Sequence, residues 1–549
     1  MIRELTKSLR KWRGLLVVVF RMKAMAVVAL LVVAASAGAQ RPLDWGDQQN
    51  GTFKNPVLNA DYSDPDVIRV GDRYYMVASD FHFLGMQMLE SADLLHWRVV
   101  SQVFDRFDYP GWDANRHYAG GSWAPALRHH DGRFYVYFCT PDEGLFMATA
   151  DDAAGPWSPL HCVRQAEKWE DPCPLWDDDG QAYLGRSRHG AGPIIVHRMS
   201  ADGRQLLDDG VTVYTGPVAE GTKFLKRHGY YYLIIPEGGV GQGWQTVLRS
   251  RSVYGPYEKR VVLEQGSTSV NGPHQGALVD VPADSTWWFF HFQETHPRGR
   301  VVHLQPARWK DDWPLMGVDI DGNGIGEPVA VWTNPIAQAP QLTEGVPVEG
   351  GCSDDFSSSR LYWVGQRQRA LGLQWQWNHN PVDSAWSLEE RRGWLTLHVL
   401  PAAGLREARN QLSQKTVGYE SQATTRLDCS QLRDGDHAGM LCTGKTLMAV
   451  GVCREKGRLH FFVERDGERQ LVAPCQRSVV FLRVTINSAA NTHQFAISTD
   501  GHHFTPAGQP FALRMGYWKG SRVGLFAYTT GTATGGTACF DYFNYTVDR

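Results

Sequence analysis

Three acidic residues in this 549-residue chain share one local context. Asp64 stands in YSDPDV, Asp171 in KWEDPCPLWDDDG and Glu220 in PVAEGTKFLKRHGYYY, each followed at once by Pro or Gly. Proline fixes its own φ and biases the preceding residue away from helix, so Asp64 is expected in extended or turn backbone, where a carboxylate can point at a ligand. Carboxyl groups remote in sequence and convergent in space suit glycosidic hydrolysis. One protonates the leaving oxygen, while another activates water or attacks the sugar. A third nearby raises the pKa of the acid by like-charge repulsion. Asp before Pro is also a common turn residue, and Glu-Gly is unremarkable. The weight therefore rests on the three together and on the repeat that carries them.

That repeat is an Asp, Gly or His leading into a strand-like run rich in aromatics. It reads GDRYYMVAS at Gly71, DGRFYVYF at Asp131, DGQAYLGR at Asp179, HGYYYLII at His228 and DSTWWFFHF at Asp284, at spacings of roughly 50–60 residues. Several copies precede a second signature, SADLLHW, ADDAAGPW or SRSVYGPY, which reads as an outer strand entered through a turn. Helix-period segments are nearly absent after the N-terminus, so the chain reads as all-β. The spacing is that of a four-stranded propeller blade, and five copies predict a five-bladed β-propeller over residues 50–335. A propeller brings its innermost strands to one axis, where distant carboxylates meet. A β-sandwich with long loops is the competing reading. The Pro- and Gly-rich run PIAQAPQLTEGVPVEGG marks a linker, residues 336–352. Beyond it, residues 353–549 alternate apolar and polar positions in WLTLHV, HFFVER, VVFLRVTI and FDYFNYTV, as a β-sandwich does.

With those residues in view, the region resembles glycoside hydrolase family 43, a family of inverting five-bladed propellers. The runs that carry the resemblance are NPVLNADYSDPDVIRVGDRYYMVAS, FHFLGMQMLESADLLHW, SWAPALRHHDGRFYVYF, EDPCPLWDDDGQAYL and AEGTKFLKRHGYYYL. The resemblance implies Asp64 as general base, Asp171 as the pKa-tuning carboxylate and Glu220 as general acid, with Asp61 and Asp66 in turn and support roles. An inverting pair stands roughly 6.5–9.5 Å apart, leaving room for water. The family's usual PDPS reads SDPD here, with the Asp64-Pro65 core kept. Phe81 and Trp123 resemble walls of the sugar subsite, with ordinary blade core as the other reading. Arg300 resembles an arginine that pairs with the tuning aspartate or the sugar. His274 resembles a histidine that holds a divalent cation, such as Ca²⁺, through water at the propeller axis. No cofactor is required for the chemistry. The segment from Cys352 resembles the family's appended concanavalin- or jelly-roll-like sandwich, whose inserted loop blocks one end of the site. Trp518 in GYWKGSRVG is the candidate inserted residue. A blocked end implies an exo-acting hydrolase releasing terminal α-L-arabinofuranose or β-D-xylose from a plant oligosaccharide or polysaccharide. The alternatives are an endo-arabinanase-like enzyme, a retaining fructosidase-like propeller, whose WMNDPNG-like signature is absent, and a non-catalytic carbohydrate-binding propeller.

The bulk properties agree. A chain of 549 residues is long for one core. The 20 Trp, 20 Tyr and 23 Phe suit β cores and sugar faces alike, and a net charge of −3 argues against a nucleic-acid footprint. The nine cysteines show no metal-ligand spacing and read mainly as small buried apolar residues, with pairing left open. DIDGNGIGE begins like a Ca²⁺ loop but places Ala330 where the bidentate Glu belongs, so it reads as a turn. Arg21 and Lys23 precede AMAVVALLVVAASAGA, so residues 1–39 read as a signal peptide and the protein as secreted or periplasmic, free of the membrane after cleavage.

Overall fold

The structure, a computed structural model, describes residues 44–349, 352–532 and 534–548. The expected signal peptide lies outside them.

Five antiparallel meanders follow one another. The first comprises Ser63–Val70, Arg73–Ser79, Gln87–Ser91 and Trp97–Gln102, and the second Trp123–His130, Arg133–Thr140, Gly144–Ala150 and His161–Gln165. The third runs from Trp169–Trp176 to Val211–Tyr214, the fourth from Lys223–Arg227 to Glu258–Leu263, and the fifth from His274–Val281 to Trp313–Met316. The opening strands of the first four sheets lie side by side in chain order. The fifth touches the fourth through Tyr230–Glu237, and its own opening strand returns to Ser63–Val70. The ring is thus closed, as a five-bladed propeller.

The aromatic doublets explain themselves in this packing. Side chains alternate across a strand, and a blade is covered on both faces. In Arg133–Thr140, Phe134, Val136 and Phe138 pack toward the first blade, whereas Tyr137 and Cys139 pack with Leu184 and Met199 of the third. Ahead of three of the five doublets the chain makes a two-residue hairpin, at Gly71-Asp72, Asp131-Gly132 and His228-Gly229. Asp131 and Gly132 have φ of 48° and 74°, and His228 and Gly229 of 50° and 73°, the signs a type I′ turn requires.

The ring is sealed by its own N-terminal end. Thr52–Lys54 pairs with Val331–Thr333. The Asn55 amide donates to Leu304 O at 2.9 Å and to Val329 O at 2.8 Å, and its carbonyl accepts Leu304 N at 2.8 Å. The expected linker carries a strand of its own. Val346–Pro347 pairs with Val99 and Arg98 of the first blade, and Val364, in Tyr362–Val364, pairs with Gln102.

Two further sheets form the sandwich. One runs through Asn410–Lys415, Arg522–Thr529, Asp436–Thr443 and Leu447–Glu455, the other through Thr537–Asp548, Glu420–Asp428 and Val479–Asn487. Within Glu420–Asp428, Ser421, Ala423, Thr425 and Leu427 are buried and the residues between them are not, the pattern of a strand packed on one face. Six of the nine cysteines are buried, and all nine are unbridged. Propeller and sandwich share one hydrophobic cluster, which joins Val67, Leu89 and Phe290 to Leu395, Leu482 and Phe540. Trp45–Arg549 is accordingly a single compact unit.

Candidate active site

Four of the five innermost strands open on the same irregularity. The pairing register shifts between Ser63 and Asp66, Trp123 and Ala126, Glu170 and Cys173, and His274 and Gly276. The residue inside each shift has positive φ: Asp64 54°, Ala124 40°, Asp171 54° and Gln275 34°. In the fourth blade Gly221, with φ 64°, holds that place ahead of Lys223–Arg227. Bulges of this kind re-aim side chains, and positive φ outside glycine is strained backbone that the surrounding fold must hold. Proline follows three of them, in SDP, WAP and EDP, and at the two aspartates it is the local signal read in the sequence.

The bulges turn Asp64, Ala124, Asp171 and Gln275, with Trp123, Glu170, Glu220 and His274 just before a bulge or Gly221, into one cavity of about 310 Å³. It is lined by Asp64, Asp171 and Glu220, by Phe81, Trp123, Trp518 and Arg300, and by His274. All eight residues singled out in the sequence therefore meet there. A larger cavity, about 610 Å³, lies beside residues 336–342, but its carboxylates gather on His96. Chemistry rather than volume selects the smaller one.

Asp64 is fixed from three sides. Ser79 Oγ donates to Oδ2 at 2.5 Å, Ser63 Oγ to the same oxygen at 3.0 Å, and Arg300 Nη1 to Oδ1 at 3.1 Å. Arg300, itself buried, thus pairs with Asp64 and, at 3.3 Å, with Glu294, rather than with Asp171. Asp171 instead accepts from Ser187 Oγ at 2.5 Å, Gly221 N at 2.8 Å and Gln275 Nε2 at 3.1 Å. Burial and the neighbouring Glu220 still push its pKa up to about 6. Glu220 Oε1 lies 3.2 Å from His274 Nε2. The histidine ring therefore addresses the acid candidate directly, and its buried Nδ1 has no hydrogen-bond partner.

The walls are aromatic. Phe81 and Trp123 meet edge to face at 6.1 Å, and Trp518 meets Trp123 at 6.4 Å. Trp518 comes from the sandwich, on a short loop anchored by the next residue. Lys519 Nζ is buried 2.6 Å from Asp61 Oδ2 and 2.9 Å from Ser79 O, on the strand that also supplies the Ser79 hydroxyl. The supporting aspartates are paired: Asp61 Oδ1 accepts Arg300 N at 2.9 Å, and Asp66 Oδ2 accepts Leu127 N at 2.7 Å and Arg128 Nη1 at 2.8 Å.

Sequence reasoning passed over Glu170, Ser79, Ser187, His189 and Gln275. Glu170 had a signal: it precedes Asp171 as Trp123 precedes Ala124. Glu170, Asp171 and Glu220 each present an oxygen within 4.8 Å of the other two. So many acidic oxygens at such separations hold a proton or a cation among them. Burial first, then Asp171 and Glu220, raise the Glu170 pKa to about 9, so it keeps its proton at neutral pH.

Known proteins fall in line with this geometry. The profile of Glycosyl hydrolases family 43 matches residues 53–314, and that of the Beta xylosidase C-terminal Concanavalin A-like domain matches residues 367–546. A putative beta-xylosidase of Xylanibacter ruminicola is 59% identical over 480 residues, 87% of each chain. A non-reducing end alpha-L-arabinofuranosidase of Bacteroides ovatus is 26% identical over 90% of this chain and 94% of its own. A bifunctional protein of Bacteroides eggerthii with a family 43 part superposes with a TM-score of 0.78 at 28% identity, over 90% of this chain and 64% of that one. The chain belongs to Glycosyl hydrolases family 43.

Proposed function

We propose that this glycosidase is exo-acting and inverting and releases one terminal pentose, β-D-xylose foremost and α-L-arabinofuranose second, from plant oligosaccharides or polysaccharides. The observation that carries the reading is the convergence of Asp64 and Glu220 on one small cavity walled by Phe81, Trp123 and Trp518. Asp64, held by two hydroxyls and a buried guanidinium, is oriented to draw a proton from water. That water attacks the anomeric carbon while Glu220 gives its proton to the departing glycosidic oxygen. The bond from carbon to water forms as the glycosidic bond breaks, on the opposite face of the ring. Asp171 stays fixed by its three donors beside Glu220, and Trp518 limits how far a chain extends past the terminal sugar. The xylosidase named among the relatives supports xylose, and the more distant arabinofuranosidase supports the second sugar.

The test uses Asp64→Asn and Glu220→Gln on 4-nitrophenyl β-D-xyloside and α-L-arabinofuranoside. Each substitution is expected to lower the rate by about 10²-fold or more, the scale of positioned acid–base catalysis. Near-normal rates in either variant sink the assignment, and NMR of the first-formed product reports inversion or retention. A divalent cation held through water by His274 belongs to the same proposal as a structural element, with its partnerless Nδ1 as the atom available to such a water. Elemental analysis of the dialysed protein decides it.

A further inference from the structure

Glu170 occupies in the third blade the place that Glu220, Trp123 and His274 occupy in theirs: the last residue before the bulge. All four line the cavity. The hydrolytic scheme gives Glu170 nothing to do, yet it is only 7% exposed and its Oε1 has no hydrogen-bond partner. A buried carboxyl oxygen left unmatched in a pocket wall is costly unless a ligand completes it. Its charge state follows from the neighbours. Asp171 already receives three hydrogen bonds and is the better-stabilised anion of the adjacent pair. Glu170 is buried with the Asp171 carboxylate within 4.8 Å, and Glu220, the proton-carrying acid of the pair, lies equally near, so a negative charge on Glu170 is disfavoured and it keeps a proton of its own beside that of Glu220.

We propose that Glu170 is a specificity-determining residue, a neutral carboxylic acid that donates its O–H to a hydroxyl oxygen of the terminal sugar bound between Asp64 and Glu220. This deepens the glycosidase reading and rests on it. A neutral donor at that point binds a polyhydroxy ligand without adding charge beside the acid–base pair. It also discriminates, since a sugar lacking a hydroxyl there leaves the buried acid unpaired.

The experiment compares the full-length protein with its Glu170→Gln and Glu170→Ala variants on 4-nitrophenyl β-D-xyloside and α-L-arabinofuranoside, with inhibition by free xylose as a binding readout. Glutamine keeps a neutral donor of the same length, and its KM and xylose inhibition constant are expected to rise less than about threefold. Alanine removes the donor, and both constants are expected to rise about tenfold or more, as for a lost buried hydrogen bond. The wild-type KM is expected to climb as pH passes about 9, where Glu170 gives up its proton, whereas that of Glu170→Gln stays level. That difference does not depend on the alanine variant folding. Equal damage from glutamine and alanine, unchanged constants in the alanine variant, or parallel pH profiles would overturn the assignment. A wild-type protein that cleaves neither pentoside overturns the glycosidase reading as well, which keeps the two failures apart.

Discussion

Replacing Lys519 with Met tests whether the sandwich completes the active site or merely adjoins it. The Lys519 side chain is 2% exposed and lies 2.6 Å from Asp61 Oδ2 and 3.8 Å from Asp80 Oδ1. Removing one partner of a buried pair costs about 3–5 kcal/mol, because the other charge is left buried. The lower end applies here. Asp61 keeps the Arg300 N–H, Asp80 keeps Lys415 at 2.9 Å, and the methionine fills most of the lysine's volume. With an unfolding entropy of about 2.1 cal/mol/K per residue, a loss of about 3 kcal/mol spread over a unit of this length lowers the midpoint by about 3 °C. The kinetic effect is the more telling. Lys519 follows Trp518 directly, and both Tyr517 and Trp518 hold positive φ, 58° and 63°, which the loop keeps only while anchored. With the anchor gone, Trp518 leaves the cavity for part of the time, and only the competent fraction binds substrate. KM is expected to rise several-fold while kcat falls less. The assays are thermal unfolding and steady-state kinetics on the xyloside. A Lys519→Met protein with wild-type midpoint and wild-type KM would falsify the coupling, and a loss confined to kcat would place the effect at Ser79 and Asp64 instead.

Arg300→Lys keeps the charge but loses the fork that reaches both Asp64 and Glu294, so kcat/KM is expected to drop by about 10²-fold, as for loss of one preorganised electrostatic contact; activity within a few-fold of wild type would show that Asp64 does not rely on it. Stability is expected to fall with acid. Burial depresses His379 and His437 to about 3 and His291 and His493 to about 4, while the unfolded chain titrates near 6.5. The unfolded state therefore binds more protons below about pH 6.5, and each such histidine costs up to about 2 kcal/mol of stability by pH 5. A denaturant midpoint at pH 5 equal to or above that at pH 7 contradicts this.

The parts of the site written in short runs were legible. The proline after Asp64 and after Asp171 signalled non-helical backbone, which the structure resolves as bulges, and the aromatic doublets signalled the strands of the blades. The parts written across the ring were not. Nothing local in HPRGRVV says which carboxylate Arg300 will meet, since Asp64 is 236 positions away. The choice of Asp64 over Asp171 is made by the return of the fifth blade against the first. Ser79 and Ser187 are ordinary strand serines until the neighbouring innermost strand brings an aspartate to them. The 336–352 run has a linker's composition, yet Val346–Pro347 finds an unpaired edge at Arg98 and Val99, and an available edge outranks a weak local preference. Glu170 was overlooked because the eye stops at the Asp-Pro pair beside it.

The finishing of the first blade by later chain bears on how the protein is made. Its outer strand, Trp97–Gln102, waits for Val346–Pro347, which begins 244 positions after Gln102. Translation at about 5–20 residues per second leaves that edge without its partner for roughly 12–50 s. The N-terminal strand Thr52–Lys54 waits longer, since its partner Val331–Thr333 begins 277 positions after Lys54. Through that interval the growing chain carries two open strand edges, the surfaces most prone to pair with a neighbouring copy. In the finished ring both edges are paired, so the exposure to a neighbouring copy belongs to the growing chain alone.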